Sequence, residues 1–129
     1  MTEEEDNRYN YLYGQSKDLT KEQQFRLLLR ILRRDFHPEY PVKVRRVHKD
    51  LIGPDAPYGA AYLVNEDKPK EKRYFIIWIN NGHVWKVQLD TILHEWAHCL
   101  TWYQCQYGKD HSDIFARKYG VLYRAIIEA

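Results

Sequence analysis

The chain has 129 residues, the size of one domain, and its 44% hydrophobic and 15% aromatic residues exclude a disordered chain. Its net charge of +2 becomes +6 when the four acids at positions 3–6 are left out. That balance permits DNA as a partner without demanding it. We therefore divide the chain into a flexible acidic arm, 1–18, and a single domain, 19–129.

The sequence shows neither a secretory leader nor an apolar run of the roughly 18 residues that span a bilayer. We therefore expect a cytoplasmic monomer with no membrane partner. The two cysteines, Cys99 and Cys105, lie on one predicted helix, at a spacing that points their side chains to different faces. No disulfide is expected between them.

The domain is predicted to begin with a helix from about Lys21 to Phe36. Thr20 and Gln23 form a capping-box pattern, and apolar residues then recur at helical spacing. The prolines that follow Phe36 end this helix, because proline cannot continue it.

Three strands are predicted after this helix. Alternating residues indicate a strand over about 42–50, and a short strand over about 60–65 is the candidate edge of the sheet. The strongest signal is 74–79, whose nearly continuous apolar run is typical of a strand covered on both faces. Residues 84–88 fit either a fourth strand or the start of the next helix.

Two further helices are predicted in the C-terminal part. One runs from Leu89, with Asp90 placed to cap it, to about Tyr103, and the other begins near Ser112 or Asp113. An N-terminal helix, a small sheet of three or four strands and these two helices make an α+β domain.

The first of these two helices carries His94-Glu95-Trp96-Ala97-His98, the HExxH pattern. Residues four apart on a helix are separated by about 40° around the axis and about 6 Å along it, so the two imidazoles can bind one ion. Glu95 then projects towards the water as its general base. The pattern predicts a catalytic Zn²⁺ site, in which the metal lowers the pKa of the water to near 7.

Such a site needs a third protein ligand and an open position for water. The metzincin pattern is excluded, because Thr101 and Gln104 stand where it requires Gly and His. The donors that remain are His111, which we favour, and the carboxylates of Asp110 and Asp113.

Two segments together resemble the SprT-like (Spartan-type) metallopeptidase domain, and are similar to small SprT-like proteins of bacteriophages. They are His94-Glu-x-x-His98 and Asp110-His111-Ser-Asp-Ile-Phe115. In that family the HExxH helix is followed by a His-Gly-x-x-aromatic segment whose His is the third zinc ligand. The resemblance therefore implies that His94, His98 and His111 are the zinc ligands and that Glu95 is catalytic.

The resemblance covers residues 20–129 and implies a minimal zincin-like fold with zinc-dependent endopeptidase activity on a protein or peptide substrate. The chain departs from the family at Ser112, which replaces the glycine and can cap the last helix directly. Some family members cleave proteins bound to DNA. Here DNA would have to contact basic residues, namely Arg33, Arg34, Lys43, Arg45, Arg46 and Lys49.

Two other functions stay open at this point. A non-catalytic zinc-binding interaction module needs ligands but no base, so the presence of Glu95 argues against it. A regulatory peptidase that cleaves a repressor shares the HExxH pattern and calls for a carboxylate as third ligand.

Several side chains near the motif are candidates for supporting roles. Tyr107 and Tyr119 are candidates for steadying the oxyanion that forms during hydrolysis. Asp90 and Asp113 are candidates for orienting a ligand histidine. Cys99 is expected to be buried and inert rather than a metal ligand.

Overall fold

The computed structural model describes residues 19–54, 56–105 and 111–127, so the predicted arm at 1–18 lies outside the described residues. The helices and strands follow in the order α1 (Lys21–Asp35), β1 (Val42–Val47), β2 (Gly59–Val64), β3 (Tyr74–Asn80), α2 (Trp85–Leu100) and α3 (Asp113–Ile126). Short 3-10 turns follow β1 and precede β3. The predicted α+β class is confirmed, with three strands in the described part of the chain.

Helix α1 begins at the predicted capping box. The Gln23 backbone N–H donates to the Thr20 hydroxyl over 3.1 Å, and the Thr20 backbone N–H donates to the Gln23 side chain over 2.9 Å. The apolar stripe of α1 is buried in the core, where it consists of Leu28, Leu29, Ile31 and Leu32.

The three strands form a mixed sheet in the order β1-β3-β2, with β1 parallel and β2 antiparallel to β3. Strand β2 is therefore an edge strand, as predicted. Among the described residues, the prediction that 74–79 is covered on both faces holds fully for one face only. Phe75, Ile77 and Ile79 are fully buried against the helices, whereas Tyr74, Ile76 and Trp78 on the other face are half-buried.

Several element boundaries differ from the predictions, among them the end of α2, which lies at Leu100 rather than at about Tyr103. Strand β1 ends at Val47, because Lys49–Leu51 form a 3-10 turn in which the His48 ring nitrogen accepts the backbone N–H of Asp50. Residues 84–88 open α2 rather than forming a strand. Asp90 is therefore inside the helix and does not cap it.

Helix α2 crosses the centre of the domain, and most of its residues are buried. Trp96 is fully buried, and its indole N–H donates to the carbonyl oxygen of Phe36 over 2.7 Å, which ties α2 to the end of α1. The described helices include none that is long and apolar enough to cross a membrane. The central position of α2 fixes the histidines that it carries.

Candidate metal centre

The two histidines of the HExxH pattern lie one turn apart on the face of α2 that packs against α3. Their Nε2 atoms are 3.2 Å apart, as the helical spacing predicts. His98 is buried, with 5% of its surface exposed, and His94 is half-buried. A rigid helix thus presents two imidazole nitrogens to one point.

His111 completes this group from the chain just before α3. Its Nε2 lies 3.1 Å from the Nε2 of His98, and each of the three histidines offers a ligand atom within 4.8 Å of the other two. His111 is exposed, whereas the two helix-borne histidines are not. The three residues form a group that can hold a metal ion.

The carboxylate alternatives for the third donor do not join this group. Asp113 is an exposed residue in the first turn of α3 and is not among the clustered donors. Asp110 lies outside the described residues, as does Tyr107, the other candidate from the same loop.

Glu95 is buried beside the histidines, with 8% of its surface exposed. Burial raises the pKa of its carboxyl to about 7, because the charged form loses its hydration. The group therefore exchanges a proton near neutral pH, which is the property that a general base requires.

An open cavity of about 760 Å³ lies between edge strand β2 and helix α2 and is bordered by all three histidines and Glu95. Gly59 at the start of β2 allows the close approach of the two elements. A Cβ atom there would lie 2.6 Å from the carbonyl oxygen of Trp78 and 2.8 Å from the side chain of Thr91. The cavity gives a ligand access to the metal group along the edge of the sheet.

Helix α3 and the chain just before it dock on α2 through a second stripe of side chains at four-residue intervals, namely His111, Phe115 and Tyr119. His111 meets His98, and Phe115 packs against all three imidazoles, with ring centroids 4.2 Å away for His98 and 4.9 to 5.0 Å for the other two. Tyr119 follows one turn later, and its hydroxyl donates to Asp90. The spacing of four residues between His111, Phe115 and Tyr119 is the sequence signal that could have predicted this stripe.

Burial keeps the helix-borne histidines uncharged. The pKa of His98 is lowered to about 4, mainly by burial and in addition by repulsion of its protonated form by His94 and His111. Burial, followed by repulsion from His111, also lowers the pKa of His94, while the charge of Asp90 opposes this shift. Neutral imidazoles are the form that binds metals.

The remaining candidates have other surroundings. Cys99 is a buried free thiol, as predicted, and burial raises its pKa. Cys105 is also a buried free thiol, but the prediction that it shares a helix with Cys99 is wrong, because α2 ends at Leu100 and Cys105 lies in the turn that follows. Tyr119 is engaged with Asp90 rather than directed at the cavity as a free hydroxyl. The buried Cys99 thiol is not part of the metal group.

The basic residues predicted to contact DNA come from α1, β1 and the turn after β1. Arg33 and Arg46 are held by hydrogen bonds within the fold. Lys43 and Arg45 are exposed on the face of the sheet that is turned away from the helices, since their partners in β3, Ile76 and Trp78, point away from the core. Contact between these residues and DNA stays a prediction.

Comparison with protein-family models, curated proteins and solved structures gives no match to this chain. The similarity to SprT-like domains therefore rests on the two sequence segments alone, and the site must be interpreted from its own geometry.

Proposed function

We propose that this chain is a zinc-dependent endopeptidase with a minimal zincin-like, SprT-like fold. One observation carries the proposal. Three imidazole Nε2 atoms converge beside the buried carboxyl of Glu95, at the wall of an open cavity. The HExxH pattern supplies two of these ligands and the base from one helix.

The donor set suits zinc. Zinc binds imidazole nitrogen at about 2.0–2.1 Å in tetrahedral geometry, which places two donors about 3.3 Å apart. The separations of 3.2 Å between His94 and His98 and 3.1 Å between His98 and His111 are close to this value. Three nitrogen ligands also leave the fourth position free, as in catalytic zinc sites.

Zinc, when bound, supplies Lewis-acid activation of water and of a peptide carbonyl. The carboxylate of Glu95 accepts a proton from the attacking water and transfers it to the leaving nitrogen. Burial raises the pKa of Glu95 to about 7 in the metal-free protein, so the group can both gain and lose a proton near neutral pH, as the two transfers require. Burial of this carboxyl is otherwise unfavourable, which argues against a purely structural zinc module.

Substrate binding is expected at strand β2. Among the described residues no strand pairs with its outer edge, and its first residues, Gly59 to Ala61, border the cavity opposite His94 and Glu95. An extended peptide can add to this edge through backbone hydrogen bonds, with its scissile bond near the metal group. Proteins bound to DNA are one substrate class to test, because the basic residues Lys43 and Arg45 are exposed on the face of the sheet that is turned away from the helices.

The regulatory peptidase with a carboxylate ligand is the less favoured alternative. His111 occupies the third donor position, and Asp113 is not in the group. Among the described residues no carboxylate competes with His111 for that place.

The function is tested by casein cleavage with the wild type, Glu95→Gln and the exposed control Glu71→Gln, each with and without DNA and with a chelator. We expect cleavage by the wild type and by the control, a loss of at least about 1000-fold in Glu95→Gln with zinc still bound, and loss on chelation. Equal cleavage by the Glu95→Gln variant would contradict the proposal. Zinc binding without cleavage of any protein substrate would favour the interaction module.

A further inference from the structure

Asp90 lies one helical turn before His94 on the side of α2 that borders the cavity. Asp90, His94 and His98 are spaced four residues apart, so their side chains form one stripe along the helix. One carboxylate oxygen of Asp90, Oδ1, accepts the hydroxyl of Tyr119 from α3. The bond fixes the carboxylate in place, and the second oxygen, Oδ2, has no hydrogen bond among the described residues.

The carboxylate of Asp90 lies close to the His94 ring. Both side chains border the cavity, and the ring of Tyr119, whose hydroxyl donates to Asp90, lies 5.6 Å from the His94 ring between centroids. No hydrogen bond joins the two side chains in the structure. Asp90 is therefore near enough to influence the ring and has an oxygen free to accept from it.

His98 has a different environment. Its Nδ1 is enclosed and has no hydrogen-bond partner in the described part of the chain. The ring is instead stacked on Phe115, with centroids 4.2 Å apart and planes 23° apart. One helix-borne histidine is thus oriented by packing, and the other stands beside an anchored carboxylate.

We propose that Asp90, anchored by Tyr119, is a positioning residue that accepts the Nδ1–H of His94 and so keeps Nε2 of that ring free for the metal. Nε2 of His94 already faces Nε2 of His98, so a neutral His94 can bind a metal only with its proton on Nδ1. Carboxylates in this position fix the tautomer and the orientation of ligand histidines. The inference rests on the proposed function, because it takes His94 to be a metal ligand.

The test compares Asp90→Asn and Tyr119→Phe with two matched controls that make the same chemical changes on α3, Asp113→Asn and Tyr123→Phe. Zinc Kd is measured by competition with a chromophoric chelator, and the His94 tautomer is measured by nitrogen-15 NMR on chelator-treated protein. Asp90→Asn should weaken zinc binding about 10- to 100-fold and mix the two tautomers. Tyr119→Phe should weaken it less, because the carboxylate remains but is no longer anchored.

The two controls should bind zinc within about twofold of the wild type. A zinc Kd within twofold in Asp90→Asn, with the His94 tautomer unchanged, would overturn the inference. Thermal melting of each variant separates this result from misfolding, and Tyr119→Phe removes a single oxygen, so it tests the same contact if Asp90→Asn is unstable. If the wild type binds zinc but cleaves no protein, the proposed function fails while the positioning role is still decided by Kd and tautomer.

Discussion

The two sides of the metal centre are built differently. The α2 side presents His94 and His98 from one largely buried helix, with their nitrogens set by helical spacing. The α3 side presents His111 from an exposed position just before the helix begins, and its place depends on how α3 docks on α2. The comparison teaches that two of the candidate ligands are fixed by local structure and the third by tertiary packing.

The largest expected effect is on zinc affinity, when the histidine nearest to both other nitrogens is removed. His98 Nε2 lies within 3.2 Å of both other nitrogens, so His98→Ala should weaken zinc binding by at least about 1000-fold. His111→Ala should weaken it about 10- to 100-fold, because the preorganised pair on α2 remains. Chelator competition measures both, with His48→Ala as an exposed control. A greater loss in His111→Ala than in His98→Ala would reverse the comparison.

The docking of α3 is tested at Phe115, which packs against all three imidazoles. Phe115→Ala should lower the free energy of unfolding by about 3 kcal/mol and also weaken zinc binding, since the rings lose their common support. Leu122→Ala is the matched control, because Leu122 is fully buried on the same helix but contributes no ring contact to the histidines. Urea unfolding should show that the two variants are destabilised to a similar extent. Zinc competition should show weaker zinc binding for Phe115→Ala and unchanged binding for Leu122→Ala.

A smaller effect is expected in the pH dependence of stability of zinc-free protein. The pKa of Glu95 is raised from 4.5 to about 7, so its ionisation lowers stability as pH rises through that window. The pKa of His98 is lowered from 6.5 to about 4, so stability rises with pH between those values. The two slopes oppose each other between pH 4.5 and 6.5.

Glu95→Gln removes one of these slopes and leaves the other. Zinc-free Glu95→Gln should therefore gain roughly 2 to 3 kcal/mol of stability between pH 4.5 and 6.5, while the zinc-free wild type changes little. Urea titrations at several pH values measure the difference. A flat profile in the variant would mean that His98 is not buried in its neutral form.

The smallest effect is expected at Ser112, where SprT-like domains have glycine. Ser112 stands at the N-cap of α3, but its side chain makes no capping hydrogen bond, and its hydroxyl lies 3.2 Å from the Cys105 sulfur. The prediction that Ser112 caps the helix with its side chain is therefore wrong. Ser112→Gly should change stability by a few tenths of a kcal/mol and zinc Kd by less than about twofold. A large change in zinc Kd would show that the serine shapes the approach of His111.

The sequence predicted the elements whose signals are local. Helix α1 follows from its capping box, β3 from its apolar run, and the pair His94 and His98 from helical spacing. The start of α2 was not predictable, because Val84 provides no side-chain cap and the following residues fit either period.

Features that depend on tertiary contacts were not determined by local patterns. The helices pack on one face of β3 and leave the other half-buried, and the sequence of the strand does not reveal which face they cover. The contact between Asp90 and Tyr119 joins residues 29 apart in the chain. His111 was one of three possible donors by residue type, and its place beside His98 is set by the docking of α3.

The central claim is that three histidines hold one zinc ion at a hydrolytic site. It is tested most directly by metal analysis together with zinc X-ray absorption on the purified full chain, for the wild type and for His111→Ala. The account predicts one zinc per chain with three imidazole nitrogens at about 2.0–2.1 Å in the wild type, and two in the variant. A wild-type chain without zinc, or a zinc shell with the same imidazole count in both proteins, would contradict it.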